Sequence, residues 1–493
     1  MEVITITLLT ILILLLIYVL HLLRRQIHFF KDRNVPYKPA SFERLDKTIH
    51  PAMHFLRWYK QFKGQYPLSG VFMFIKPIVI PLDLELIKRI LVKDFQYFQN
   101  RGIYYNERDD PLSAHLFSLE GAKWRNLRAK ISPTFTSGKM KMMYPTMVAA
   151  GKQFSEYLEE KVGDGNELEM RDLLARFTTD MIGTCAFGIE CNSMKEPNSK
   201  FREMGRKHFE APRNVLKDAF KMTAPGLARF LRVTEILPDV SEFFMDVVKS
   251  TVEYRMKNNV RRNDFMDLLI AMLDDKTEGS ESLTISEIAA QAYVFFIAGF
   301  ETSSTTMTWA LHELSRNPDI QEEGRKCVQE VLEKYNGVMS YEAIMEMTYI
   351  DQIINETLRL YPPVPMHFRV VSKDYHVPET DTILPAGTFT MIPVYAIHHD
   401  EDIFPEPEKF DPTRFTPEEV NKRHAFAWTP FGEGPRVCIG LRFGMMQARI
   451  GLALMLKNLR FSPGPKTCTE MEFQPQNFIL SPKEGLWLNV EKI

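Results

Sequence analysis

The stretch from Thr284 to Asn317 constrains the fold more than any other part of this chain. Thr284-Ile285-Ser286-Glu287 has capping-box spacing, in which a hydroxyl and a carboxylate each take a free N–H at a helix start. Asn317-Pro318 ends the helix, because proline disfavours helical geometry in the residue before it. The 32 residues from Ile285 to Arg316 predict a rod of about 48 Å at 1.5 Å per residue. From Ala289 to Phe300 nearly every position is apolar, so no face suits water. Such a helix crosses a core, and the rest of the chain must wrap around it. Within it Gly299 costs roughly 1 kcal/mol against Ala, and Glu301 interrupts the apolar run. Two readings of Gly299 and Thr302 are open. One is a kink, with Ser303 and Ser304 bonding back to carbonyls. The other is a local opening that faces a ligand.

The N-terminus is the second strong feature. Val3 to Leu23 is 21 residues without a charge, enough for one tilted membrane-spanning helix. Glu2 precedes the run and no Ala-x-Ala follows it, unlike a cleaved signal. Arg24, Arg25, Lys31 and Arg33 come next, so the positive-inside rule leaves the body cytosolic. Val35-Pro36-Tyr37-Lys38-Pro39 reads as a stiff hinge. The expected division is a membrane anchor over 1–23, a basic, proline-rich hinge over 24–45, and one body over 46–493. Only the short loop Asp274–Glu281 offers a break within that body. Val71–Ile75 and Ile78–Ile80, broken at Lys76-Pro77, read as a hairpin, and Asp83 caps the helix after it. Sixty-one basic against 63 acidic residues argue against a nucleic-acid protein, which would carry a basic stripe. Five cysteines in no paired or zinc-like spacing suit a reducing, cytosol-facing body.

One of those cysteines stands apart. Phe431-Gly432-Glu433-Gly434-Pro435-Arg436-Val437-Cys438-Ile439-Gly440 turns on two glycines and a proline, and delivers the thiol just before the helix-like Leu441–Ala448. A thiolate there is favoured by the helix dipole and by free N–H groups, and a lone thiolate suits haem iron. The alternative is a small buried hydrophobe. The pattern Phe-x-x-Gly-x-Arg-x-Cys-x-Gly resembles the haem-binding loop of the cytochrome P450 family. Four further stretches resemble that family in order: Trp124–Arg128, Ala298–Thr302, Asn355–Pro363 with its Glu-x-x-Arg, and Phe410–Phe415. The resemblance runs from about residue 35 to the end, and its flavour is that of microsomal, xenobiotic-metabolising insect members.

The resemblance implies a mainly α fold with a smaller β part, the cytochrome P450 fold, preceded by one transmembrane helix. It implies a haem-thiolate monooxygenase inserting one oxygen atom from O2 into a lipophilic small molecule. The implied cofactor is haem b, with Cys438 as iron ligand and Phe431 in the binding loop. Trp124, Arg128, Arg369 and Arg436, and more weakly Arg101, are implied at the haem propionates. Thr302 would hydrogen-bond dioxygen and Glu301 would relay protons. Glu356, Arg359 and Arg414 would hold the cysteine loop. Read by periodicity alone, Glu356 and Arg359 lie beside or opposite the stripe Ile350, Ile353, Ile354, Thr357, Tyr361. There they would be an ordinary surface pair worth a few tenths of a kcal/mol. Substrate contacts map onto Phe117, Phe295, Ala298, Val364, Met366, Phe478 and Ile479. His398-His399-Asp400 reads as a loop without metal spacing.

No flavin domain is visible, since Gly432-x-Gly434 lacks both a preceding strand and a third glycine. NADPH electrons would therefore arrive through NADPH–cytochrome P450 reductase, with cytochrome b5 as a second donor. Arg125, Lys130, Lys139, Lys141, Arg442 and Arg449 are the candidate docking cations. The implied location is the endoplasmic reticulum membrane, and Leu227, Phe230, Leu231, Ile236 and Leu237 form a second apolar surface for lipid. Two rivals remain at this stage. One is a haem-thiolate isomerase or dehydratase that needs no reductase, and the other is a non-catalytic haem sensor or carrier.

Overall fold

The structure, a computed structural model, describes residues 26–38, 48–73, 76–162, 167–211, 214–262, 264–273, 282–468 and 470–493, with five scattered positions before residue 26. The anchor expected over 1–23 and the loop 274–281 lie almost wholly outside these. Among the described residues no helix is long and apolar enough to cross a membrane.

Six helices frame the site: α1 (Gly121–Ile131), α2 (Ser137–Lys161), α3 (Met170–Ile182), α4 (Ile285–Arg316), α5 (Thr348–Leu360) and α6 (Leu441–Asn458). The central helix α4 has the bounds its sequence predicts. The Glu287 N–H donates to the Thr284 hydroxyl at 3.2 Å, and the Thr284 N–H donates to the Glu287 carboxylate at 2.8 Å. Its middle packs against α3, α5 and α6, and the stretch around Ala298 and Thr302 is left partly uncovered. Glycine lets two of these neighbours come close. A Cβ on Gly299 would lie 2.6 Å from the Ile182 side chain of α3, and one on Gly451 of α6 would lie 2.5 Å from the Met307 sulfur. Gly299 therefore has a packing reason, and α4 runs through it without a break. Of the two serines expected to bond back, only Ser304 does so. Ser303 donates to the Gln447 amide oxygen on α6 at 2.8 Å.

A four-stranded sheet lies to one side, made of β1 (Leu68–Met73), β2 (Lys76–Pro81), β3 (His367–Val370) and β4 (Phe389–Ile392), in the order β1-β2-β4-β3. β1 and β2 are the expected hairpin, but their pairing includes Phe72 with Pro77 and Met73 with Lys76. The break expected at Lys76-Pro77 thus lies inside β2. Val35–Lys38, expected as a hinge, is docked along β1. The Gly70 N–H donates to Pro36 O at 2.8 Å, the Lys38 N–H donates to Gly70 O at 2.9 Å, and Phe30 is fully buried over Gly70. A three-stranded sheet joins Glu167–Glu169, Trp487–Lys492 and Leu459–Pro463. One apolar core surrounds α4 and a second fills the space under the four-stranded sheet.

Candidate active site

The cysteine loop is shaped by its glycines. Gly432 and Gly434 have φ of 70° and 71°, and a Cβ on Gly434 would sit 2.1 Å from the Leu91 carbonyl. The Cys438 N–H donates to Phe431 O at 2.9 Å, and α6 begins three residues later. The sulfur lies deep in the protein but opens onto a mostly apolar cavity. Burial pushes the thiol pKa up, while the Gly440 N–H and the Arg128 and Arg101 guanidiniums pull it back.

Most of the predicted site residues converge on this cavity. Thr302, Ala298 and Phe295 line it from α4, Trp124 and Arg128 from α1, and Arg369 from β3. Val364, Met366, Phe117, Arg101, Phe431 and Arg436 complete the predicted set on its walls. Three predicted residues are not on the walls. Phe478 packs against Phe368, which is, with ring centroids 5.9 Å apart, and Ile479 is buried elsewhere. Glu301 also misses the cavity. Its electrostatic neighbours are Arg171, Arg202 and Glu210, and burial pushes its pKa up against the pull of the two arginines.

The cations form an unanswered cluster. Among the described residues no carboxylate makes an ion pair with Arg101, Arg128, Arg369 or Arg436. Burial lowers all four, Arg369 to about 10 and Arg436 to about 9, and repulsion from the other three guanidiniums lowers Arg101 further. Arg436 spends Nε and Nη2 on the Gln99 and Leu119 carbonyls, both at 2.9 Å, and stacks 3.8 Å over Trp124. Arg101 donates to the Phe117 and Arg436 carbonyls. Arg369 keeps a buried Nε with no partner, and Arg128 makes no side-chain hydrogen bond among the described residues. Buried cations without counter-charge are costly. The two carboxylates of a haem fit that demand, and Cys438 fits the iron.

The Thr302 hydroxyl donates to Ala298 O at 2.6 Å and faces the cavity with its lone pairs. Behind the loop, Glu356 and Arg359 are wholly buried and joined at 2.7 and 2.8 Å. Arg359 also donates to the carbonyls of His398, Pro407 and Lys409. Glu356 accepts the Asp411 N–H at 2.9 Å and pairs with Arg414 at 3.5 Å. The surface pair expected from periodicity is thus a buried one, because the strap through residues 404–415 covers the second face of α5. His398 is no loop residue. It ends the short helix Val394–His398, and its ring joins Arg359 O to the Thr429 N–H at the approach to the cysteine loop. Sequence reasoning missed this strut, and no local pattern marks it. Two expected docking cations are already engaged: Lys141 pairs with Glu342 at 2.5 Å, and Arg449 grips Asp351 at 2.5 and 2.9 Å. Arg125 and Arg442 are exposed and form no ion pair among the described residues. Of the expected lipid-facing residues Ile236 is buried, while Leu227, Phe230, Leu231 and Leu237 are exposed.

Comparison with known proteins agrees with this geometry. Residues 45–489 match the family described as cytochrome P450. The chain is 46% identical over 492 residues to cytochrome P450 6a8 of Drosophila melanogaster, with 97% of each chain covered. It is also 46% identical over 486 residues to cytochrome P450 6A1 of Musca domestica, with 96% of each covered. A third relative, the probable cytochrome P450 6a14 of Drosophila melanogaster, is 44% identical over 499 residues, with 97% of each covered. The chain therefore belongs to the cytochrome P450 family and is a monooxygenase of that family.

Proposed function

We propose that this monooxygenase holds haem b through Cys438 and inserts one oxygen atom from O2 into lipophilic small molecules. NADPH electrons come through a separate NADPH–cytochrome P450 reductase, with cytochrome b5 as a second donor. The observation that carries the reading is a thiol opening onto an apolar cavity ringed by four guanidiniums that, among the described residues, form no ion pair with a carboxylate. When bound, the haem supplies the redox-active iron at which dioxygen is reduced.

The protein's own groups do the rest. Cys438 is the ligand, steadied by the Gly440 N–H. Arg128 and Arg369 hold the propionates with their open donors, Trp124 lies beside them, and Arg101 and Arg436 fix the wall around that edge. Thr302 would hold a water in the cavity. Glu301, whose raised pKa favours its protonated form, passes protons from the side of Arg171 and Arg202. Phe117, Phe295, Ala298, Val364 and Met366 exclude water and orient an apolar molecule. Glu356, Arg359 and Arg414 hold the strap behind the cysteine loop. Residues 1–23 anchor the protein in the endoplasmic reticulum membrane with the body on the cytosolic side. The basic residues from 24 to 33 support that orientation, and the exposed Leu227, Phe230, Leu231 and Leu237 provide a second contact with lipid.

The test is spectroscopic and then chemical. The reduced, CO-treated protein should show the red-shifted Soret band of thiolate ligation, and Cys438→Ser should lose it. A band that survives Cys438→Ser makes another residue the ligand. With reductase and NADPH supplied, a panel of lipophilic compounds should yield oxygenated products, and no product without the reductase.

A further inference from the structure

The loop from Ala114 to Leu119 brings Phe117 to the cavity, and side chains of the cavity wall hold it there. The Leu116 N–H donates to Gln291 Oε1 at 2.9 Å. Arg436 donates to the Leu116 carbonyl at 3.4 Å and to the Leu119 carbonyl at 2.9 Å. Arg101 donates to the Phe117 carbonyl at 3.0 Å, with its guanidinium 4.2 Å from the centre of the Phe117 ring. Within itself the loop closes mainly on His115 O, which accepts the Ser118 and Leu119 N–H groups. Two of the three clamps therefore belong to the guanidinium cluster, and Gln291 is the third.

Gln291 is buried, and both ends of its amide are spent. Nε2 donates to Glu287 O one turn back at 3.2 Å, so Oε1 must face the Leu116 N–H. It stands one turn before Phe295 on the same face of α4, on the rim of the cavity. Among the described residues the Leu116 N–H has no other acceptor. Remove Oε1 and a buried donor is orphaned, which the backbone relieves by moving. Phe117 is the next residue and moves with it.

We propose that Gln291 is a positioning residue that sets selectivity by fixing where the Phe117 ring stands in the cavity. The inference rests on the reading that this cavity takes a lipophilic molecule beside a haem. Small changes in an apolar wall suffice for such an effect, since one methylene is worth roughly 10–200-fold in discrimination.

The experiment uses the full-length, haem-loaded protein and two probes, imidazole and phenylimidazole, titrated by the haem spectrum. Imidazole reports the iron alone, and the phenyl group adds the pocket wall. In Gln291→Leu, which keeps volume and removes the acceptor, the phenylimidazole-to-imidazole affinity ratio should fall about tenfold, with imidazole itself unchanged. Gln291→Glu should restore the ratio, because a protonated carboxyl offers the same acceptor to Leu116 and the same donor to Glu287. Phe117→Ala and the double variant Gln291→Leu/Phe117→Ala should match each other, since effects that pass through one residue are not additive. An unchanged ratio in Gln291→Leu overturns the proposal. So do an additive double variant and an equal loss of affinity for both probes. If Gln291→Leu does not load haem, Gln291→Asn, too short to bridge Glu287 O and Leu116 N–H, decides by the same ratio. A wild-type protein that gives no spectral response to imidazole removes the haem reading and this inference with it, a result distinct from the others.

Discussion

Thr302 spends its one proton inside its own helix. Because its hydroxyl donates to Ala298 O, it offers the cavity only acceptor lone pairs. On the proposed reading it would act by holding a water rather than by donating directly. In Thr302→Ala, haem and substrate binding should persist, NADPH consumption should continue, product per NADPH should fall and hydrogen peroxide should rise. The loss should stay below the ~10²–10⁴-fold that general acid–base catalysis contributes, and Thr302→Ser should keep most of the coupling. Unchanged coupling in Thr302→Ala would make it a packing residue. His312 carries a different prediction. It is buried in α4 with an unpartnered Nδ1, and burial lowers its pKa to about 4. Its folded pKa lies below its unfolded one, so its contribution is intact above about pH 6.5 and is lost as pH falls toward 4. His312→Leu should then gain on the wild type as pH drops, by up to ~1.4 kcal/mol per pH unit below that point. Urea midpoints at pH 7.5 and 5.5 measure it, and a gap that does not widen at pH 5.5 refutes it. Cys438 was legible at this scale because its requirements are local: two positive-φ glycines, a proline and a helix start. His398 and Gln291 were not, because their bonds span 31 and 175 positions and leave no periodic trace.

Among the elements, α4 was read to the residue because caps and hydropathy agree there, whereas α5 misled. A helix covered on one face shows one stripe, but α5 is covered on two, and the second cover is a strap of irregular chain that no pattern in α5 predicts. Only the resemblance to a family pointed to burial. The strap makes a sharp prediction about Glu356 and Arg359. Glu356→Gln leaves the Arg359 charge unpaired in the core, at a cost of about 3–5 kcal/mol, and should abolish most haem-loaded protein. A buried ion pair can often be replaced by apolar residues without loss. Here Glu356→Leu with Arg359→Leu should fail to rescue, because Arg359 also serves three carbonyls that would be orphaned. The yield of CO-binding protein and the thermal midpoint of what remains decide it, and a rescued double variant would contradict the argument. Gly299 was legible as unusual but not as to why. Its reason is Ile182, more than a hundred residues earlier.

At the scale of the molecule, ion pairing redraws the docking face that composition suggested. Lys141 and Arg449 are spoken for by Glu342 and Asp351, whereas Arg125 and Arg442 are exposed and form no ion pair among the described residues. Neutralising these two together should slow reductase-supported turnover several-fold, within the ~10–10³-fold reach of electrostatic steering. The deficit should shrink at high salt, and peroxide-supported turnover should be untouched. Equal losses in both assays would place the effect in folding. The four-stranded sheet escaped the sequence more than the helices did, since β3 and β4 have only four residues each and β4 joins them to a hairpin some three hundred residues away. That same distance governs how the protein is made. Arg101 reaches the ribosome exit 335 residues before Arg436, with which it shares the cavity wall. At ~5–20 residues per second the gap is roughly 15–70 s, and Phe295 itself emerges only after more than half of it. On the proposed reading the cofactor would not be gripped until Arg436 and Cys438 had both emerged. Loading would therefore be a late event, waiting on a cysteine loop made long after the first wall of the cavity.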